Sequence, residues 1–574
     1  MHQQRSWTAA VVATALALGA SACTSQRSES DDVSGGDRAA APTDGPSDVT
    51  ATARVADEDV ADSEPPRGDP PATSAPSVGP IAPATDATAS DPADPPDTTA
   101  PLASAGFEPE LEERACPGAA SPEASCHWVA VPADWGAPAA ATIRLPVTVI
   151  AASPAGGRIA VPRRPDPIVI PAGGPGFDNS QDYGWTGAPQ NDARDIVLYD
   201  QRGTGLAEPD LDCPERDATW VAVLQAADPY ERESTAIIDT MAACRERLER
   251  DGVDLDDYDT EASVRDLDAI RRALGYDEWN ILGISYGARL ALASMRSAPD
   301  GIRSVILDSV ADVTTGVTAS TLAAAQRASD ALVVACNTDP ACVEAYGDLE
   351  AVIDGLYDAW EAEPAVVEVD LDDGAGPRTF RVTGSDLLAG LFNAMYDADL
   401  VPLLPSVVHS FAEGQTAVLA ELIRAGVGQG TGQADAMNWS VSCADVGAVD
   451  AAADATAQAD PGRQGTLVST LPYCADWPVE STSPTFNEPV TSDIPAIVLA
   501  GAFDPVTPPA ASRAAAEQLG APFAVFPDAA HSVTRFGRAC VEAIQLAFLD
   551  DPALPPDLSC IEEIPPVSFV PPAG

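Results

Sequence analysis

Lysine is absent from this 574-residue chain, so all 31 of its basic side chains are arginine. A Walker-type phosphate loop needs a lysine on the nucleotide phosphates and is thereby excluded. Basic charge is scarce altogether: 88 acidic side chains give a formal net charge of −57. Such a surface repels nucleic-acid backbones and anionic lipid, and it favours solubility. Histidine is rarer still, with four in the chain, and His127, His409 and His531 lie far apart. There is no CxxC pair and no HExxH, so no metal site is expected, and no cofactor. Large apolar residues are nearly missing from residues 23–105, which are rich in Pro, Ala, Ser, Thr and Asp. A segment of that composition cannot bury enough surface to offset chain entropy, and it is expected to be a disordered tether.

The N-terminus carries Arg5 and then an apolar stretch from Thr8 to Leu18, shorter than a membrane span. "GASAC" follows and ends at Cys23. "ASA" fits a small-residue cleavage site, and the same residues resemble a bacterial lipobox with Ala20 where leucine is usual. Residues 1–22 are therefore expected to be a signal peptide. Cys23 is expected to be lipidated, attaching an exported protein to a membrane. Of the eleven cysteines, removal of Cys23 leaves ten, an even set that suggests disulfides outside the cell. Sequence leaves their connectivity open. Pairing neighbours gives Cys116–Cys126, Cys213–Cys244, Cys336–Cys342, Cys443–Cys474 and Cys540–Cys560.

Strand-like runs begin with "HWVAVPADW" and "ATIRLPVTVIAA". "PIVIPAGG" and "DIVLYD" are short apolar runs stopped by Gly or Asp, as buried parallel strands are. "SVRDLDAIRRALG" has helical periodicity, and "EWNILGIS", "SVILDSV", "PAIVLAG" and "FAVFPD" read as further strands. Strands alternating with helices predict an α/β fold with a mainly parallel sheet. Residues 106–312 and 489–574 are expected to form its two core parts. Residues 313–488 read as a mainly helical insert with one hairpin, expected to be a lid over the sheet edge where ligands bind.

"GISYG" places Ser285 between Gly283 and Gly287, with a strand before it and a helix after. This G-x-S-x-G arrangement exposes a serine hydroxyl on a sharp turn, the setting of a nucleophile. A hydroxyl needs a base, and His531 follows the last strand. The base needs an acid to hold its tautomer, and Asp504 follows "AIVLAG". Asp528, three residues before His531, suits a turn instead. His409 and His127 read as structural. Tyr286, with Gly174 and Gly173 in the earlier glycine loop, would supply backbone N–H groups to an oxyanion. The Asp200–Gly203 block is expected to shape that loop through Arg202. Asp445, beside the expected Cys443–Cys474 bridge, is the candidate for pairing with a substrate ammonium.

"PAGGPGF", "VLYDQRGTG", "GISYGARLAL", "VILDSV", "VSCADV", "GAFDPVTP" and "AHSVTRFGRACV" occur in that order. Together they resemble the tripeptidyl-aminopeptidase-like branch of the prolyl-iminopeptidase clan, within the α/β-hydrolase superfamily. The resemblance spans residues 107–574 and implies an exported serine peptidase acting on peptides with a free amino end. Ala172 stands where the iminopeptidases carry histidine, and Ala288 where threonine is frequent, which argues against proline specificity. An ester hydrolase on the same three side chains is the alternative reading. A surface binder that merely keeps the fold is a third, and the complete Ser–Asp–His set argues against it.

Overall fold

The computed structural model describes residues 106–571, except 119, 155–160, 312–313, 372, 431–432, 447–448, 450, 483–485 and 536–537. The expected signal peptide, Cys23 and the expected tether fall outside the described residues.

The chain enters through β1 (Glu110–Arg114), β2 (Ala124–Pro132) and β3 (Thr142–Ile150), which pair antiparallel in that order. β4 (Ile168–Ile170), β5 (Ile196–Tyr199), β6 (Trp279–Ile284) and β7 (Ile302–Asp308) come next. β4, β5 and β6 are buried along their whole length, so they read as mainly apolar runs rather than alternating ones, with a buried Asn280 in β6. The insert holds a separate hairpin, β8 (Ala365–Val369) and β9 (Arg378–Val382). β10 (Ala496–Gly501) and β11 (Phe523–Phe526) complete the main sheet. Its order is β1-β2-β3-β5-β4-β6-β7-β10-β11, and from β5 onward every neighbour runs parallel. The sequence pattern did not foretell β1, whose residues are mostly exposed and charged.

Before β6 the chain forms helices α1 (Pro214–Ala226), α2 (Tyr230–Arg250) and α3 (Thr260–Leu274). The Asp259 side chain accepts from Ala262 N at the start of α3, and Gly275 closes it in the left-handed conformation. α4 (Tyr286–Ser297) follows β6. Between β7 and β10 lie α5 (Val317–Thr338), α6 (Pro340–Tyr346), α7 (Leu349–Ala362), α8 (Gly384–Ala394), α9 (Leu404–Ala412), α10 (Ala417–Gly430), α11 (Asp435–Val446), α12 (Ala451–Ala459) and α13 (Gly465–Ser469). α14 (Pro509–Leu519) and α15 (Ala539–Asp550) flank the last strand. Alternate strand residues serve opposite faces. Val169, Val197, Ile281, Val305 and Val498 pack with α3 and α4 residues on one side. Ile168, Ile196, Leu282, Ile306 and Leu499 pack with α15 residues on the other. Among the described residues no helix is long and apolar enough to cross a membrane.

Among the described residues five disulfides form: Cys116–Cys126, Cys213–Cys244, Cys336–Cys342, Cys443–Cys474 and Cys540–Cys560. Each joins sequence neighbours, so each closes a short loop within one region of the fold.

Arginine replaces hydrophobic packing at one point under the sheet edge. Arg202 grips Asp266 of α3 through two bonds of 2.8 Å, with both side chains 1% exposed. Nη1 donates to the carbonyls of Ala133 and Asp257, and Nη2 donates also to that of Pro132. A planar five-donor fork suits this shared duty in a way a lysine ammonium does not. Asp266→Ala is expected to lower unfolding free energy by about 3–5 kcal/mol, because a buried guanidinium loses its counter-charge. Asp228→Ala removes only the exposed partner of Arg232 and is expected to cost under about 1 kcal/mol. Urea denaturation of the two variants reads the contrast.

Candidate active site

β6 delivers Ser285 to the C-terminal edge of the sheet, and α4 begins at the next residue. Ser285 adopts φ 60° and ψ −122°, a conformation worth about 1–3 kcal/mol of strain for a residue with a Cβ. The flanking glycines are required by close approach. A Cβ on Gly283 would lie 2.5 Å from the Gly287 carbonyl oxygen, and one on Gly287 would lie 2.6 Å from that of Pro171. Gly173 sits across from the serine, where its own Cβ would touch Ser285 Cβ at 3.4 Å. Gly174 and Gly176 have φ of 111° and 101°, which carries the loop away from the sheet. Tyr286 opens α4, where the first N–H groups have no intrahelical acceptor. The N–H groups of Gly174 and Tyr286 are thus the candidates for holding negative charge beside Ser285.

Beyond β11, His531 is buried and donates from Nδ1 to Asp504 Oδ2 at 2.9 Å. Thr507 Oγ1 lies 3.1 Å from the same nitrogen and donates to the same carboxylate oxygen at 2.6 Å. Asp504 Oδ1 accepts the N–H groups of Val506 and Thr507 at 3.0 and 2.8 Å. Burial alone would raise the Asp504 carboxyl, but the attraction of His531 and the bonds from His531 and Thr507 outweigh it and hold it below its ordinary value. Burial alone would depress His531. The charge and hydrogen bond of Asp504, with a further contribution from Asp308, reverse that and raise it above its ordinary value. With Nδ1 engaged, Nε2 is the nitrogen left for proton exchange, and His531 and Ser285 line the same cavity of about 2690 Å³.

The insert reaches this pair from two sides. The Tyr396 ring meets the His531 ring edge-on at 5.0 Å between centroids. Arg327 of α5 donates to the Ala502 carbonyl at 3.0 Å and to the Asp504 carbonyl.

Several expected roles move. Asp445 does not face the cavity as an open carboxylate. It is fully enclosed, accepts from Thr260 N and Oγ1 at 3.3 and 2.5 Å and from Thr482 Oγ1 at 2.8 Å, and has Arg289 at 3.6 Å. It fastens α11 to the start of α3. Arg202 does not shape the glycine loop, being committed to Asp266. The neighbouring Gln201 does so, donating to the Ala172 carbonyl at 2.9 Å. Asp200 accepts from Asn179 N, Ser180 N and Leu206 N, which ties the far end of that loop. Asp528 pairs with Arg538 rather than His531. His127 is a strand residue on β2, and His409 lies on α9 beside Glu413 and the Tyr346 ring. Sequence reasoning missed Thr507, Tyr396, Arg327 and Asp308. Thr507 alone had a local signal, standing three residues after an aspartate whose side chain caps that turn.

Residues 166–332 match a family model for the alpha/beta hydrolase fold, and residues 463–560 match one for TAP-like protein. The chain is 26% identical over 477 residues to serine protease Hip1 of Mycobacterium tuberculosis, covering 75% of this chain and 86% of that protein. It is 28% identical over 465 residues to carboxylesterase B of the same organism, covering 75% and 85%. Over 197 residues it is 31% identical to a tripeptidyl aminopeptidase of Streptomyces coelicolor, covering 32% of this chain and 35% of that one.

Labelling of Ser285 by a fluorophosphonate is expected to need neutral His531. A raised imidazole pKa places the loss on acidification above the ordinary histidine value of about 6.5. Asp504→Asn, which favours the wrong tautomer, is expected to slow labelling by about 10⁴-fold. Mass spectrometry of the adduct against time and pH measures both.

Proposed function

We propose that this chain, which belongs to the α/β hydrolases and carries their TAP-like C-terminal segment, is an exported serine aminopeptidase working through an acyl-enzyme. Ser285 Oγ attacks the scissile carbonyl while His531 Nε2 takes its proton. The N–H groups of Gly174 and Tyr286 hold the tetrahedral oxyanion, with Gly173 keeping the loop close. His531 then passes the proton to the departing amine, and the acylated Ser285 remains. A water that gives its proton to His531 attacks this ester, the bond from the acyl carbon to Ser285 Oγ breaks, His531 returns the proton to Oγ, and the peptide leaves as its carboxylic acid. Asp504 keeps Nδ1 protonated and facing away from the serine throughout. The observation that carries the reading is the buried Asp504–His531 pair opening onto the same cavity as a strained serine.

A peptide with a free amino end needs a carboxylate where its chain stops. Asp435, the first residue of α11, lines the cavity, is 4% exposed and has one oxygen, Oδ2, without a protein partner. The loop from Gly173 to Gly176 is stapled to the same helix start. Ala434 N donates to the Gly176 carbonyl, and Gln433 and Asn438 both donate to that of Pro175. Burial pushes Asp435 up to about 6, Arg216 at 3.7 Å opposing and Asp217 and Asp212 adding to the rise. At neutral pH it is mostly ionised and can accept an ammonium. In this reading Asp435 takes the part expected of Asp445.

Residues 1–22 act as the export signal and Cys23 as a lipid anchor. Residues 23–105 tether the folded body, and residues 313–488 serve as the lid. The five disulfides favour an oxidising compartment, which supports export. The relative named carboxylesterase B favours a second reading, hydrolysis of carboxylic esters on the same side chains.

Product analysis on matched peptides with free and acetylated amino ends separates these. Cleavage of the free form alone supports the aminopeptidase, equal cleavage removes it, and turnover of short acyl esters alone selects the esterase. Asp435→Asn is expected to raise KM for the free-amino peptide about tenfold or more and to leave short ester turnover unchanged. The wild-type KM for that peptide is expected to rise as pH falls through about 6, where Asp435 protonates.

A further inference from the structure

Among the described residues four that are not glycine have positive φ: Ala227, Ser285, Ser309 and Ser532. Ala227 ends α1 as a left-handed cap. The other three are serines, and hydrogen bonds chain them through one residue, Asp308, at the end of β7. Ser285 N donates to the Asp308 carbonyl oxygen at 2.9 Å. Ser309 Oγ donates to Asp308 Oδ1 at 2.9 Å and accepts from Ser532 N at 3.1 Å. Val533 N donates to Oδ1 at 3.1 Å. Thr534 donates to Oδ2 twice, from N at 2.8 Å and from Oγ1 at 2.7 Å. Asp308 and Ser309 are 0% exposed.

We propose that Asp308 is the positioning residue of this site: its carbonyl fixes the nucleophile and its carboxylate fixes the turn immediately after the base. The inference rests on the serine-hydrolase reading above. Ser285 and His531 lie 246 positions apart in sequence, and each needs an uncommon backbone conformation in itself or its neighbour. Asp308 meets both from one rigid strand end. Its side chain does not line the cavity and is bonded to Ser309, Val533 and Thr534, so it acts through the geometry of the other two.

A buried aspartate that only capped the 533–535 turn would cost stability without changing turnover per folded molecule. Asp308 differs because its charge also faces His531. The groups around that imidazole are Asp504 and Thr507 from the acid loop, Arg327 from α5 behind Asp504, Tyr396 from the insert, Arg535 with Asp182 from the following turn, and Asp308 from β7. An anion there favours the imidazolium. Its removal lowers the base pKa, so the acidic limb of kcat/KM moves to lower pH.

The test uses the full chain with Asp308→Asn, Thr534→Val and Thr534→Ser, reading kcat, KM, the pH profile and the rate of fluorophosphonate labelling. Asp308→Asn is expected to lower kcat and labelling by about 10²-fold, the scale of a small misplacement of reacting groups. Its acidic limb is expected to move down by about half a unit or more. Thr534→Val, which keeps the shape and loses one bond to Oδ2, is expected to lower kcat about threefold to tenfold at unchanged KM, and Thr534→Ser to restore it. A folded Asp308→Asn with wild-type kcat and limb overturns the proposal. If that variant does not fold, Thr534→Val with wild-type kcat overturns it instead. A wild-type chain whose Ser285 is never labelled sinks the serine-hydrolase reading itself, which is a different result from variants that label at the wild-type rate.

Discussion

Ile284 and Leu499 both pair with Asp308, one from each side, so β6 and β7 end level and β10 runs two residues further, to Gly501. That shared register places Ser285 one residue past the end of β6, Asp308 at the end of β7 and Asp504 three residues past the end of β10. Parallel pairing makes such a convergence possible, because all three strands point their C-termini at the same edge. A one-residue slip of any of them would turn its side chains to the opposite face and withdraw a group from the site. β6 and β10 are buried along their whole length, and within β6 the Asn280 amide resists a slip by accepting from Ser304 Oγ at 2.7 Å and donating to Asp166. Register is guarded at the ends, by the Ser285–Asp308 backbone bond and by Ser309 N on the Leu499 carbonyl.

Charge works differently inside and outside this molecule. The formal −57 describes a surface that repels other polyanions, whereas several of the buried groups are matched pairwise. Arg202 meets Asp266, Arg194 meets Asp166, and His531 meets Asp504. One carboxylate left without a full partner is found at the cavity, where Asp435 has only a 3.7 Å contact with Arg216. Asp445, which also sits near an arginine, is closed off by three hydroxyl or amide bonds as well. The difference between a structural acid and one open to ligand is therefore a matter of remaining lone pairs, not of burial.

That difference explains what could be read from sequence. The strands around Ser285, the G-x-S-x-G turn, and the candidate acid and base after later strands each carry a local pattern, and their order along the chain fits one fold. Neighbour pairing of cysteines matched the bonds formed because every bridge closes within its own region. Asp445 was misread because proximity to a cysteine says nothing about which groups saturate a carboxylate across 185 residues, as Thr260 does. Arg202 and Gln201 exchanged roles for a similar reason: adjacent residues point to opposite sides, and only the folded chain shows which side holds the glycine loop. β1 was missed because an exposed, charged edge strand has no apolar alternation to announce it.

Arg327 has a consequence for how a substrate would reach the site. It belongs to α5, the first helix of the insert, yet it hangs on carbonyls of the acid loop. Swinging α5 outward would strand those oxygens in a dry interior and unseat Asp504 at the moment of admission. A substrate that entered away from α5 would leave both bonds in place. Admission and chemical readiness would then be compatible within one conformation, and turnover would not wait for the acid to be rebuilt after each substrate arrives.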